Sequence, residues 1–332
     1  APCAYIGNMT RRLLLYFFLC LSLILLTSSA KLGQMPLRRQ MLVVTAEAAP
    51  LSRSDPAITQ AGDLVYLGGW RLSARHADFG GWSAMHATPN GFRLMSDAGA
   101  MLDLPRPSAG TMRAVLQELP KGCGQRWHKD KQDAESLTAD DQGNMWVALE
   151  QQNIICRIDA AGHVRTIAPA AMANWSSALG AEAMVRLRDG RFLVFAEADP
   201  KDTDGPSPVL LFSGDPLSAS VRRVSLRLAS PDGFRPSDAA QLPDGRILVL
   251  QRAFAPPLRW QTRLIALDLA ELRENALLQG REVARLAPPM LTDNFEALAV
   301  TQEKRRPIIW IASDDNFWSL QQTYLLKFTL KD

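Results

Sequence analysis

One short pattern recurs five times along this chain, and a sequence built from repeats has few folds open to it. Each copy opens with small and apolar residues around Ser83, Glu135, Glu182, Ser237 or Glu296. Four copies then turn through a glycine pair, at Asn90-Gly91, Gln142-Gly143, Asp189-Gly190 and Asp244-Gly245. Glycine there supplies the positive φ that a tight hairpin needs. An apolar strand runs back, as in Ile247-Leu248-Val249-Leu250. A third strand follows at Ile154–Asp159, Val209–Phe212, Leu264–Asp268 and Tyr324–Phe328.

The copies return about every 50 residues, the spacing of propeller blades with insertions in their loops. This predicts an all-β protein, a β-propeller of about six blades, with five or seven also open. The sixth blade is expected to be split between Leu42–Leu72 and the C-terminal strand, which would close the ring and leave no free sheet edge. A β-sandwich of unrelated hairpins is the rival, but it does not explain why one string begins each unit. Leu104 to Asp133 and Asp199 to Pro208 read as long loops. Asp268 to Leu278 reads as a short helix or an irregular excursion.

The chain has 332 residues and a net charge of +3, a balance that argues against nucleic acid as a partner. The N-terminus reads as a leader. Arg11 and Arg12 precede an apolar run from Leu13 to Leu26, and Thr27, Ser28, Ser29 and Ala30 follow. This is the form of a signal peptide cut near Ala30, with Met9 as its start. A retained anchor is the alternative, and the membrane is then met only through this segment. The chain thus divides into upstream residues and signal peptide to residue 30, a linker or the start of the closing blade over 31–59, and the propeller over 60–332. Export places the protein in the periplasm or outside the cell, where Cys123 and Cys156 either pair or stay as a loop thiol and a buried strand thiol.

The strings that open the copies also carry a family likeness. Phe79-Gly80-Gly81-Trp82-Ser83, Asp133-Ala134-Glu135-Ser136-Leu137, Gly180-Ala181-Glu182-Ala183, Phe234-Arg235-Pro236-Ser237-Asp238-Ala239, Asp293-Asn294-Phe295-Glu296-Ala297 and Ser313-Asp314-Asp315-Asn316-Phe317 follow in order. Together they resemble the phytase-like family, "esterase-like activity of phytase", over most of residues 60–330. Ala297 stands where the family pattern leads one to expect glycine. The resemblance implies an exported, propeller-like hydrolase of phosphoric or other esters, and it brings no nucleophile motif that maps onto this chain.

Hairpin geometry places a site without help from the family. One strand leaves a rim and the next returns to it, so Glu135 and Glu150 lie at the same face. So do Glu182 and Glu197, Ser83 and Asp97, and Glu296 with Asp314 and Asp315. Ser237, Asp238 and Arg252 hold the matching places in the fourth copy. If the copies are blades, these residues ring one mouth of the central channel. Crowded carboxylates repel one another, and a hard cation such as calcium relieves that repulsion. The expected metal ligands are Glu135, Glu182, Glu296, Asp97 and Asp314. The expected catalytic residues are Glu135, Glu182, Asp238, Arg252 and Glu296, with the arginine offering a donor fork to an anionic group. The competing structural reading is that a glutamate at each blade start caps backbone amides or ties blades together.

The remaining features point away from other chemistries. His76, His86, His128 and His163 are scattered. No Gly-x-Ser-x-Gly elbow is present, which excludes the α/β-hydrolase serine mechanism. The expectation is a monomeric, exported hydrolase of a small-molecule ester, including phosphoric esters, with a divalent cation, calcium, at the channel mouth. Two alternatives stay open, a propeller lactonase or carboxylic-ester hydrolase and a non-catalytic propeller that binds a ligand or a protein.

Overall fold

The hairpins of the repeat assemble into blades, and their order in the ring follows from which strands find partners. The computed structural model describes residues 37–124, 132–255 and 259–331. The expected leader and His128 lie outside them. Three strands come first: β1 (Gln40–Ala48), β2 (Gln60–Ala61) and β3 (Leu64–Ser73). The first blade is β4 (Trp82–Thr88), β5 (Gly91–Ser96), β6 (Ala100–Pro105) and β7 (Gly110–Glu118), paired antiparallel in that order. The second is β8 (Ala134–Ala139), β9 (Met145–Leu149), β10 (Ile154–Ile158) and β11 (Val164–Ile167). The third is β12 (Ala181–Arg186), β13 (Phe192–Ala196), β14 (Ser207–Phe212) and β15 (Arg223–Leu228). The fourth joins β16 (Arg235–Gln241), β17 (Ile247–Ala255) and β18 (Arg259–Leu267) to β20 (Arg281–Leu286), while β19 (Leu277–Leu278) adds to the third blade beside β15. The fifth is β21 (Phe295–Glu303), β22 (Arg306–Ser313), β23 (Thr323–Leu330) and, from the other end of the chain, β3.

The first strands of the blades pack side by side in the order β4, β8, β12, β16, β21, and β21 returns to β4. The described residues therefore form a five-bladed β-propeller. The fold class is the expected one, and the blade count is the lower of those the spacing left open. The expected sixth blade does not form. Its N-terminal portion, β3, completes the fifth blade against β23, and β1 bridges the outer strands β3 and β7 of the fifth and first blades. This closes the ring with main-chain hydrogen bonds between distant parts of the chain and removes two free edges.

Alternation along each strand explains why the blades stack. On β17, Leu248 and Leu250 pack with Phe295 and Ile309 of the fifth blade, while Ile247 and Val249 pack with Leu193 and Phe195 of the third. Successive side chains point to opposite faces, so one buried strand supplies two interfaces. The hairpin glycines Gly143, Gly190 and Gly245 hold φ of +85°, +89° and +99°, as the turn pairs require. At Gly91 the reason is different, because an added Cβ would lie 2.1 Å from the carbonyl oxygen of Leu104.

One loop expectation changes, and the excursion expected after Asp268 is present. The stretch after Leu104 contains β7, whose Thr111–Leu116 alternation is flanked by prolines and glycines that obscure it in the sequence. Asp268 caps a single 3-10 turn, Leu269–Glu271, and the chain then reaches β19. Cys123 and Cys156 are joined by a disulfide within the core shared by the first two blades. No helix among the described residues is long and apolar enough to cross a membrane.

Candidate functional site at the acidic mouth of the channel

The five copies share one local irregularity that the sequence does not announce. In every blade, the pairing of the first strand with the second slips by one residue, at Ser83, Glu135, Glu182, Ser237 and Glu296. Such a bulge leaves one residue out of the ladder and re-aims its side chain. The residue opposite and one beyond each bulge is Asp97, Glu150, Glu197, Arg252 and Asp314 in turn. The rim thus carries two tiers, three glutamates and two serines in one, four acids and one arginine in the other.

The serines fasten blades. Ser83 Oγ donates to the carbonyl of Ala134 at 2.6 Å, and Ser237 Oγ to that of Phe295 at 3.4 Å. Each acceptor immediately precedes the glutamate of the next blade, so the serine tier fixes where Glu135 and Glu296 begin.

Arg252 sits among the acids, and Arg235 Nη1 reaches Glu197 Oε1 from the edge at 3.5 Å. Arg252 Nη2 donates to Glu182 Oε1 at 3.1 Å and lies 3.7 Å from Glu197 Oε1. Its Nε is 3.0 Å from Glu296 Oε1 but out of line for a hydrogen bond. Burial works against its charge, yet Glu296, Glu182 and Glu197 raise its pKa above the usual arginine value. Asn294 Nδ2 donates to Glu296 Oε1 at 2.8 Å.

Five of the seven carboxyls, Glu135, Glu150, Glu182, Glu296 and Asp314, hold protons more tightly than free carboxyls do. Burial pushes Glu135 well up, and Glu182, Glu296, Asp133 and Asp97 push it further. Glu182 rises by burial and by Glu197, against the pull of Arg252. Glu150 is pushed up to about 8 by burial and by Asp133, although the amide of Gly180 donates to its Oε1 at 2.9 Å. Asp314 rises by burial and by Glu296, with which it shares a hydrogen bond.

Within this cluster, Glu150, Glu182 and Glu197 offer ligand oxygens that all lie within 4.8 Å of one another. Two oxygens each about 2.4 Å from one calcium ion are at most about 4.8 Å apart, so the spacing fits one ion. The donor set is oxygen only, which suits a hard cation.

The sequence pattern of the family described as phytase-like, esterase-like activity of phytase, matches residues 77–317. The chain belongs to the phytase-like family. No curated protein matches the chain. Solved structures align with the chain at low identity. A chain named as a gluconolactonase is 11% identical with a TM-score of 0.47, covering 86% of this chain and 93% of its own. A β-xylosidase, RS223, is 10% identical with a TM-score of 0.39, over 86% and 95%. Virginiamycin B lyase from Staphylococcus aureus is 8% identical with a TM-score of 0.34, over 86% and 99%. These likenesses concern architecture alone.

In this phytase-like protein, Glu135, Glu182, Glu296, Asp97, Asp314 and Arg252 meet at one mouth. The set with ion-binding spacing, however, joins Glu182 to Glu150 and Glu197 rather than to Glu135 and Glu296. The signal for Glu150 and Glu197 is the hairpin pairing itself, which puts them on the rim of their partners. Asp238 lies apart from the acids. It is buried, and its two oxygens accept the amides of Ala239 at 2.8 Å and of Leu298, on the fifth blade, at 2.7 Å. The bulge falls on Ser237, so Asp238 turns away from the mouth and ties two blades.

Proposed function

We propose that this protein is an exported, monomeric hydrolase of small-molecule esters, of carboxylic or phosphoric acids, that works with a divalent cation at the acidic mouth. The observation that carries this reading is the trio Glu150, Glu182 and Glu197, three buried or nearly buried carboxylates at ion-binding spacing with Arg252 as the cation reaching two of them. Calcium fits the all-oxygen donors, and when bound it supplies polarisation of an ester oxygen. Glu150, Glu182 and Glu197 would hold it. Arg252 orients Glu182 and Glu296 and keeps the crowded acids apart. Burial raises both Asp314 and Glu296, which are hydrogen-bonded to each other, and the pair would serve as a proton source for a departing alcohol. The Cys123–Cys156 disulfide supports an oxidising compartment, as export requires.

The test has two arms. Turnover of generic carboxylic and phosphoric esters is measured with calcium and with chelator, and activity should depend on the cation. Thermal melting is measured in parallel, because an ion that binds only the folded state raises its melting temperature. Glu182→Gln should keep the fold and lose most of that rise. If wild type and variant melt alike with and without divalent ions, the cation site is wrong. If calcium stabilises but no ester is turned over, the mouth is a binding site and the hydrolase reading fails.

A further inference from the structure

Apolar side chains crowd the rim around the acids, where solvent exposure works against them. Phe254 is 48% exposed, Phe317 47%, Trp318 46% and Leu320 66%. Four of the eight large exposed apolar residues among those described thus sit on two segments of one rim, just beyond Arg252 and Asp314. Exposed apolar groups gathered around a polar floor mark a ligand site.

The fourth blade builds one side of this rim as an arm. β16 pairs no further than Arg235 with Arg252, and β20 no further than Leu286 with Thr262. Beyond those pairs, Ala253–Ala255 and Arg259–Gln261 have only each other. Phe254 and Trp260 face each other there with ring centroids 4.6 Å apart, and the Arg252 guanidinium lies 5.9 Å from the Trp260 ring. The arm therefore rises directly from the carboxylate cluster. On the other side, Phe317 lies against Gly81, where an added Cβ would meet its ring at 2.3 Å and Asp97 Oδ1 at 2.9 Å. Gly81 holds φ +64° and leaves this place to the aromatic ring. Trp260 Nε1 is buried without an acceptor, a donor that an ester oxygen can satisfy.

We propose that the mouth takes esters with an apolar body and at most one negative charge, seated on Phe254, Trp260, Phe317 and Trp318, and that it excludes inositol polyphosphates. The proposal rests on reading the mouth as the ester site. Its physical basis is charge complementarity. A polyphosphate brings many negative charges to a cluster of seven carboxyls with two arginines, Arg252 and Arg235, and a single divalent ion offsets only two more of those charges. It also has no apolar surface to place on the rings. A carboxylic ester or a phosphodiester with an alkyl or aryl group meets both conditions.

The experiment compares 4-nitrophenyl octanoate, 4-nitrophenyl acetate, bis(4-nitrophenyl) phosphate and inositol hexakisphosphate as substrates of the whole protein in calcium. The octanoate or the phosphodiester should be turned over, and the hexakisphosphate should not. Phe254→Ala and Trp318→Ala should raise KM for the octanoate about tenfold, the scale of losing one ring contact, and KM for the acetate by less, because its short acyl group covers less of the rings. A separate measurement needs no turnover. The unreactive amide octananilide should change tryptophan fluorescence saturably, and Phe254→Ala should weaken its binding about tenfold. Efficient hydrolysis of inositol hexakisphosphate overturns the proposal. So does octananilide binding that ignores both substitutions, or no binding. Concentration-dependent self-association lost in Trp318→Ala also overturns it, because the patch is then an interface between copies. Octananilide binding without any ester turnover leaves the apolar ligand class standing and removes the hydrolase reading instead.

Discussion

Glu150 shows how one buried acid couples stability to pH. Its pKa stands at about 8 in the folded protein against an ordinary 4.5. Between those values the folded state holds a proton that the unfolded chain has released, so this stability is full below about pH 4.5 and is lost as pH rises through 8. His86 acts in the opposite sense. Burial, with Arg93 beside it, lowers it from 6.5 to about 4, so stability is lost as pH falls below 6.5. From pH 6.5 to 8 the acids act alone. In chelator, the melting temperature should fall across that window, and calcium should recover more at pH 8 than at pH 6.5, because the ion replaces protons. A melting temperature that climbs from pH 6.5 to 8 in chelator would mean that the cluster is already ionised. Asp238 gives a second test at this scale. Asp238→Asn turns an amide toward an amide N–H and leaves Leu298 N or Ala239 N without an acceptor, at a cost of about 1–3 kcal/mol. Denaturant unfolding should show that loss while the calcium-induced rise in melting temperature persists.

The recurring bulge is the element that turns a row of hairpins into a site. A regular strand start would leave Glu135, Glu182 and Glu296 within the ladder. The slip lifts them out at one height on every blade. The serine copies secure the neighbouring glutamate copies, and the two links differ in length, 2.6 Å from Ser83 and 3.4 Å from Ser237. Ser83→Ala should therefore cost about 1–2 kcal/mol and Ser237→Ala less than about 1 kcal/mol in denaturant unfolding. Equal losses would show that the hydroxyls do not hold the blades through these carbonyls. Both structural and chemical roles of the blade starts thus occur in one ring. The serines and Asp238 tie blades, and the glutamates gather charge.

The whole molecule is closed by β3 against β23 and by β1 between β3 and β7, and the Cys123–Cys156 bond staples the first two blades. The bond spans 33 residues and restricts the unfolded chain across the first two blades. Replacing both cysteines with serine should lower stability by about 2–4 kcal/mol, read as a reduced denaturation midpoint. An unchanged midpoint would show that the bond adds nothing to the closed ring. If the chain is exported as its leader implies, N-terminal sequencing of protein from its host should begin near residue 31. An intact leader in the membrane fraction would instead make the segment an anchor.

Local chemistry made much of this protein legible before its structure. Glycine turns and apolar return strands specify hairpins, their regular return specifies blades, and hairpin pairing alone puts Glu135 with Glu150 and Glu182 with Glu197 on one rim. Those inferences need only neighbours in sequence. What needed the folded chain is everything set by distant neighbours. Five blades close rather than six because β3, near one end of the chain, pairs with β23, near the other. β7 forms because β1 supplies a partner on its outer edge. Asp238 became a tie and Glu150 a candidate ligand for a reason of the same kind. A one-residue slip in register decides which way a side chain points, and the energies that set register come from packing between blades, which no single hairpin contains.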